Sequence, residues 1–535
     1  MSLEEGAQNH RRKRQKKPNY FWRRVSVMCI AALLLWGVVK AVIATTTATV
    51  KVASKTLGIG RPSYDVVVVG GTPSGVSAAL SAARHGASVL LLEEKPLLGG
   101  DITYAHLNQL DVPLLNSTSS SSPVAYGIFG EFYKQLGVAF DVHHAQKLFE
   151  KAIANEKLIK VWKGARVGGI YVENGRVRAA TIKRSSGAIE KVTAYTFIDA
   201  TNDASFAART GASYSIGREI INPDKRMQSA GLFFSVKNVD WNAVRAYCRR
   251  TKTVRMRELK RTKRGAHASI DVKVMSKRRA IVRLGGTHGN YAWERGDIIR
   301  DYKPKGSNIV VWNINFGRQS DGSIVLNTLN ICGVNGLSAA SKKQGMEEAL
   351  REIPHLIKYL RVRMPGFEKA EYAGAAPELY IRETRHIAGF STLTVSDVKS
   401  GRAFPDRIAL ASYPLDLHPY FVGDENQFAA QRYVYSLPLG SLIPKKINGV
   451  FVASRSLSAT YSAAGSARVI PITMAMGEAA GVAASMCANG ELTPHDFMPS
   501  ETSKEHTEAA KGYVTELQRE LRRMGMNIGD ELVKK

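Results

Sequence analysis

The chain has 535 residues, 44 % hydrophobic and 23 % charged, the balance of a folded protein with a large core, which excludes a disordered or fibrous one. Its formal net charge is +29, with 75 Lys and Arg against 46 Asp and Glu. The cysteines Cys29, Cys248, Cys332 and Cys487 stand far apart without a C-x-x-C pair, which argues against a redox-active disulfide or an iron–sulfur cluster and favours free thiols.

Residues 1–24 are a polar tail with eight basic side chains against Glu4 and Glu5. Residues 25–44 are apolar except for Lys40. At 1.5 Å per residue this stretch spans about 30 Å, the thickness of a hydrocarbon core, and predicts one transmembrane signal-anchor helix. The basic tail stays cytoplasmic and the rest of the chain extracytoplasmic. The alternative is a cleaved signal peptide, with Ala44 or Ala48 at the cleavage site and a secreted product. Residues 45–63 form a linker.

Tyr64 to Gly100 reads as a nucleotide-binding βαβ unit. Asp65–Val69 is a buried parallel strand by its β-branched run. The turn Gly70-Gly71-Thr72-Pro73-Ser74-Gly75 follows, with Thr72 where the middle glycine of G-x-G-x-x-G would stand. Val76–His85 is a small-residue helix closed by Gly86. Strand Ser88–Leu92 then delivers Glu93 to its tip. Gly70 permits the sharp turn, and Gly75 lets helix and strand touch. The helix N-terminus offers N–H groups and a positive dipole end to a pyrophosphate. Glu93 lies at the spacing, roughly 20 residues on, that suits a ribose acceptor.

Asn116–Pro123 is a polar surface loop. Ala145–Asn155 has the periodicity of an amphipathic helix. Lys160–Val167, Gly169–Val172 and Arg176–Lys183 form a small β-layer with a hairpin at Asn174-Gly175. Phe197–Asp203 is a strand running into a small-residue turn that holds Ala200, Thr201 and Asp203. Residues 245–283 hold fifteen basic side chains against Glu258 and Asp271. They read as a solvated insertion or as a surface for an anionic lipid or envelope polymer, with nucleic acid disfavoured for want of any recognition module. Gly285–Gly289 is a turn rather than a second dinucleotide site, so the chain lacks a separate NAD(P)H domain. Asn308–Phe316 is a strand and Ser341–Val362 a helix. Gly449–Arg455 is a strand and turn, Ile472–Ser485 a small-residue helix, and Lys504–Met524 an amphipathic one.

Together these segments resemble the FAD-dependent oxidoreductase family with a glutathione-reductase-type FAD fold, within the two-dinucleotide-binding-domain flavoproteins. The marks are Gly-Gly-Thr-Pro-x-Gly at residues 70–75, Leu98-Gly99-Gly100, Arg382-Glu383-Thr384-Arg385-His386-Ile387-Ala388-Gly389, Tyr413–His418 and Leu437–Pro444. The resemblance implies an α/β fold: a Rossmann-like, three-layer FAD-binding domain with a parallel sheet and an inserted α+β substrate domain. Its first part covers 64–211, the insertion 212–375, the return and flavin-capping helix 376–490, and a helical tail 491–535. It implies FAD contacts from Gly70, Gly71, Thr72, Ser74, Gly75, Glu93, Gly99, Gly100, Ala200, Thr201, Asp203, Arg455, Arg468 and Pro471, with Val167 beside the adenine. No metal is expected.

For catalysis, flavin oxidation of a C–H bond needs a base for the accompanying proton. His418, two residues from Asp416, is the candidate base. Arg382 and Arg385 are candidate clamps for a substrate carboxylate. The expectation is a membrane-anchored FAD-dependent oxidoreductase passing a hydride between a small-molecule or sugar-derived substrate and flavin N5. The alternative is a non-catalytic flavin-fold protein that binds anionic envelope components.

Overall fold

The computed structural model describes residues 62–533 other than 113–126, 138, 221, 251–290, 295–297, 300, 312 and 425–426. The expected anchor at 25–44, the loop 116–123, the Gly285–Gly289 turn and residues 251–283 of the basic segment lie outside the described residues.

Strand β1 (Tyr64–Val69) is followed by helix Pro73–Arg84, β2 (Val89–Glu93), helix Val142–Ala154, β3 (Ile159–Lys163), β4 (Arg166–Glu173), β5 (Arg176–Lys183) and β6 (Ile189–Asp199). β1 pairs in parallel with β2 and β6, in registers Val66↔Val89 and Val66↔Thr196, and β2 with β3. Strand Val450–Val452 joins in parallel on the far side of β6. The first half of β6 instead pairs antiparallel with β5, and β5 with β4. Alternation along β1 explains why the run is apolar throughout. Val66 and Val68 pack on the helical layer, while Val67 and Val69 pack against the β4–β5 layer. Both faces of the strand are therefore buried, as in a three-layer α/β domain.

Two expected strands are corrected. Lys160–Val167 is not one strand but breaks at Gly164 (φ 62°). The first piece continues the parallel sheet and the second opens the antiparallel layer. Asn308–Phe316 likewise divides into Ile309–Val310 and Ile314–Arg318. The hairpin at Asn174-Gly175 has φ of 48° and 71°, the pair of positive angles that lets a two-residue loop follow the strand twist.

The second sheet is antiparallel and contains Ala230–Lys237, Tyr291–Glu294, Ile309–Val310, Ile314–Arg318, Ile324–Ile331 and Glu371–Ala375. Its own core includes Phe233, Phe316, Leu326 and Phe367, and helix Ala339–Arg363 packs on it through Ile353, Leu356 and Leu360. That helix runs through Pro354.

Helix Ile470–Gly490 is the centre of the first core. It is the one helix among the described residues long and apolar enough to cross a membrane, and 89 % of that stretch is buried inside the protein. It crosses helix Pro73–Arg84 on small residues. A Cβ on Gly477 would overlap the Ser74 carbonyl, and one on Gly481 the Ala78 carbonyl.

The same helix buries Glu478, which accepts a hydrogen bond from Ile128 N–H at 2.9 Å. Burial pushes its carboxyl up to about 8 from an ordinary 4.5. The folded state therefore keeps a proton that the unfolded chain releases. This contribution to stability is full below about pH 4.5 and is lost as pH rises through about 8. Thermal unfolding across pH 5–9 should show the decline, and Glu478→Gln should flatten it. An identical slope in the variant would place the pH dependence elsewhere.

Candidate functional site

The site begins where β1 stops. Gly70 takes φ 105°, and a Cβ there would meet the Ala200 carbonyl carbon at 2.9 Å. Thr72 takes the N-cap position of the helix. Its hydroxyl accepts from Gly75 N–H at 3.2 Å and donates to Ala200 O at 2.8 Å. The missing middle glycine is thus a capping residue that also ties the turn to the end of β6. Pro73 occupies the first helical turn, where no N–H is needed. Ser74 Oγ donates to Ala453 O at 2.6 Å.

Glu93 ends β2 beside this turn. Its carboxylate accepts from Gly71 N–H at 2.6 Å and from Lys95 N–H at 2.8 Å. Burial raises its pKa, and these two backbone donors oppose the shift. Each oxygen spends one lone pair on the backbone and has capacity for a hydroxyl donor. Val167, expected beside an adenine, lies in β4 and offers its carbonyl to Arg209 at 3.0 Å. Thr201 turns back on its own strand, where its hydroxyl donates to Asp199 at 2.6 Å. Asp199 is fully buried, and burial pushes it up to about 6 while Thr201, Phe206 and Ala207 donate to it.

Gly99 and Gly100 have φ of 111° and 49°, and Gly100 packs on Thr72. They present Asp101 to the same cleft. Arg455 bridges Asp101 at 3.1 Å and Asp203 at 2.8 Å, while Asn202 donates to Asp101 at 3.1 Å. Three distant segments are thereby clamped around one buried guanidinium.

The cleft is lined by Thr72, Pro73, Ser74, Asp101, Asn202, Tyr380, Arg382, Arg455, Arg468, Ile470 and Thr473. Helix Ile470–Gly490 begins at this cleft with Pro471 in its first turn and no side-chain cap. Pro471 has no N–H, and the Ile472 and Thr473 N–H groups bond Val469 O at 3.0 Å, so the positive dipole end is what the helix offers there. Arg468 donates to Asp416 Oδ2 at 2.8 Å and to the Tyr380 hydroxyl at 3.2 Å. Arg382 donates to Ser229 O at 2.7 Å and lies 5.1 Å over the Tyr380 ring.

His418 Nε2 is 3.4 Å from Asp416 Oδ2, and its Nδ1 is 3.1 Å from Asn330 Oδ1. Burial first, then the field of Arg382, pushes the imidazole down to about 4, against the pull of Asp416. Asp416 is held well below the usual carboxylate range by His418 and Arg468, which outweigh its burial. At neutral pH the pair is a carboxylate and a neutral imidazole, so one ring nitrogen can take up a proton.

Arg382, Arg468, Asp416 and His418 are thus brought together. Arg385 is not among them. It donates to Asp203 O at 2.9 Å and stacks over Tyr214 at 5.0 Å, so of the two expected clamps the cleft lining includes Arg382 and not Arg385. Arg385 opens the short strand Arg385–Ile387, which pairs with Tyr214–Ile216, and that pairing holds it away from the cleft lining. Sequence reasoning also missed Asp101, Tyr380 and Asn330. Asp101 directly follows the Gly99-Gly100 turn and Tyr380 stands two residues before Arg382, so adjacency was a signal for both. Asn330 had none, because it arrives from the second sheet.

The residues fit a dinucleotide cofactor. The glycine cradle admits no Cβ at Gly70 or Gly75, and the buried Nε atoms of Arg455 and Arg468 have no hydrogen-bond partner among the described residues. A sequence profile of the family described as FAD dependent oxidoreductase matches residues 65–521. A digeranylgeranylglycerophospholipid reductase of Thermoplasma acidophilum is 27 % identical over 151 residues, which are 24 % of this chain and 37 % of that protein. A vinyl phenol reductase of Lactiplantibacillus plantarum is 60 % identical over 42 residues, 8 % of each chain. The chain thus spans well under two thirds of the length of these relatives. A solved geranylgeranyl bacteriochlorophyll reductase-like structure from Thermoplasma acidophilum aligns over 88 % of this chain and 90 % of its own, at 15 % identity and a TM-score of 0.38.

Proposed function

The chain belongs to the family of FAD-dependent oxidoreductases, and we propose that within it this protein oxidises or reduces a small molecule by hydride exchange with FAD, using His418 as the proton carrier. The observation that carries the reading is one continuous cleft. It starts at the Gly70–Gly75 turn and ends on Arg382 and Arg468 at the N-terminus of the buried core helix, where His418 and Asp416 adjoin.

FAD supplies the two-electron acceptor. The protein does the rest. Glu93 receives the adenosine ribose hydroxyls, and the Gly70–Gly75 turn and first helix take the pyrophosphate. The uncapped start of helix Ile470–Gly490, with Arg468 beside it, favours negative charge on the flavin ring. His418 takes the proton that accompanies C–H oxidation, and Asp416 orients the imidazole and stabilises its charged form. This arrangement supports a glutathione-reductase-type FAD part. The apolar stretch 25–44 supports a single-pass anchor with the flavin part outside the cytoplasm. The basic segment 245–283 supports contact with anionic lipid or envelope polymer.

The test is an absorbance spectrum of the purified protein before and after heat release of its pigment. Bands near 375 and 450 nm (roughly, as for any oxidised flavin), with FAD in the supernatant, are expected. Glu93→Ala should release FAD at least about tenfold more readily, because losing hydrogen bonds to a charged acceptor costs about 1.5–3 kcal/mol. Equal FAD affinity in the variant would count against the ribose assignment.

A further inference from the structure

We propose that Arg382 is the anchor for a single carboxylate on the substrate, so that the reduced or oxidised compound is a small organic monocarboxylate. The inference rests on the reading of the cleft as a flavin site and adds the chemical class of its substrate.

Two of the three arginines of the cleft are ion-paired. Arg455 pairs with Asp101 and Asp203. Arg468 pairs with Asp416. Arg382 is 4 % exposed and, among the described residues, forms no ion pair. Its partners are neutral: the Ser229 carbonyl and the face of Tyr380. Its Nε is buried without a hydrogen-bond partner among the described residues. Burial pushes the guanidinium down to about 10, a shift that leaves it charged at neutral pH. An unpaired buried charge costs several kcal/mol, and an anion that arrives with the ligand removes that cost.

Position places this anion on the second-sheet side of the cleft. The Arg382 side chain rests on the second sheet. It bonds to Ser229 just before strand Ala230–Lys237, and a Cβ on Gly231 of that strand would meet both terminal nitrogens at 3.4 Å. His418 and Asn330 stand on the same side, since Asn330 belongs to the neighbouring strand Ile324–Ile331. The turn at Thr72–Ser74 lines the same cleft from the end of β1.

One buried guanidinium that forms no ion pair among the described residues matches one carboxylate. A guanidinium also suits a planar carboxylate, because its parallel N–H groups can engage both oxygens. The Nε of Arg382 and one terminal nitrogen offer such an edge.

The experiment titrates the FAD-loaded full chain with acetate, with acetamide as its neutral counterpart and inorganic phosphate as a competitor, following the visible flavin bands. Acetate should perturb the bands saturably and acetamide should not. Arg382→Met, which keeps the stem and removes the charge, should weaken acetate at least tenfold while FAD affinity stays unchanged, and Arg382→Lys should recover part of it. Unchanged acetate binding in Arg382→Met overturns the proposal. So does phosphate binding more tightly than acetate, or loss of FAD from Arg382→Met, which would make the guanidinium a cofactor ligand. A wild-type protein that takes up no FAD overturns the flavin reading itself, a result distinct from all of these.

Discussion

Replacing Gly75 with valine is expected to abolish FAD retention and to destabilise the fold by more than about 3 kcal/mol. Overpacking costs about 1–3 kcal/mol where neighbouring side chains can move aside. Here they cannot. The Cβ would fall on the Gly70 carbonyl oxygen and within 3.1 Å of the Ala200 side chain. The first obstacle is backbone, and that backbone is fixed by the parallel ladder of β1 with β2 and β6. Relief requires the helix to withdraw from the turn, which breaks the Thr72 bonds to Gly75 and Ala200. Helix Ile470–Gly490 would be displaced too, since it packs through Gly477 on Ser74. Denaturant unfolding with a flavin spectrum checks both parts. A Gly75→Val protein that stays yellow with a wild-type midpoint would show that the turn is not the phosphate site.

His418→Ala is expected to keep FAD and to lower the rate of flavin reduction by about 100- to 10,000-fold, the usual worth of a positioned proton acceptor. The fold should stay intact, because the side-chain partners of His418 are the polar groups of Asp416 and Asn330. The pH profile separates catalysis from structure. With the imidazole pushed down to about 4, the wild-type rate should stay level from neutral pH to about pH 5 and fall below that. The acid limb reports protonation of the base, so it should vanish in His418→Ala. A second variant, Asp416→Asn, should move that limb further down, since the carboxylate that favours the charged imidazole is gone. Stopped-flow reduction at several pH values measures all three. A His418→Ala enzyme with a normal rate would reduce the residue to a structural one.

The nucleotide half of the site was legible in sequence because its logic is local. Strand, turn, helix and second strand follow within Tyr64–Glu93, and their chemistry depends on neighbours a few residues away. Gly70, Gly75 and Glu93 were therefore readable one by one. Even there, Thr72 was readable only as a departure, and its double role at the N-cap and on Ala200 needed the end of β6 to be in place.

The group around Asp416 is different in kind. Arg382, Asp416, His418 and Arg468 were visible as residue types in suggestive places, but their pairing is set by strands and loops far apart in the chain. Asp416 takes Arg468 from 52 positions away, and His418 takes Asn330 from 88 positions away. Arg385 shows the same limit, since its strand pairing with Tyr214–Ile216 carries it out of the cleft that Arg382 enters. Periodicity and motif spacing determined the layers, the glycine cradle and the place of Glu93 beside it, because these follow from backbone sterics and burial within a short segment. Only the tertiary structure decided which guanidinium forms no ion pair among the described residues, because pairing is a property of everything that packs around a group.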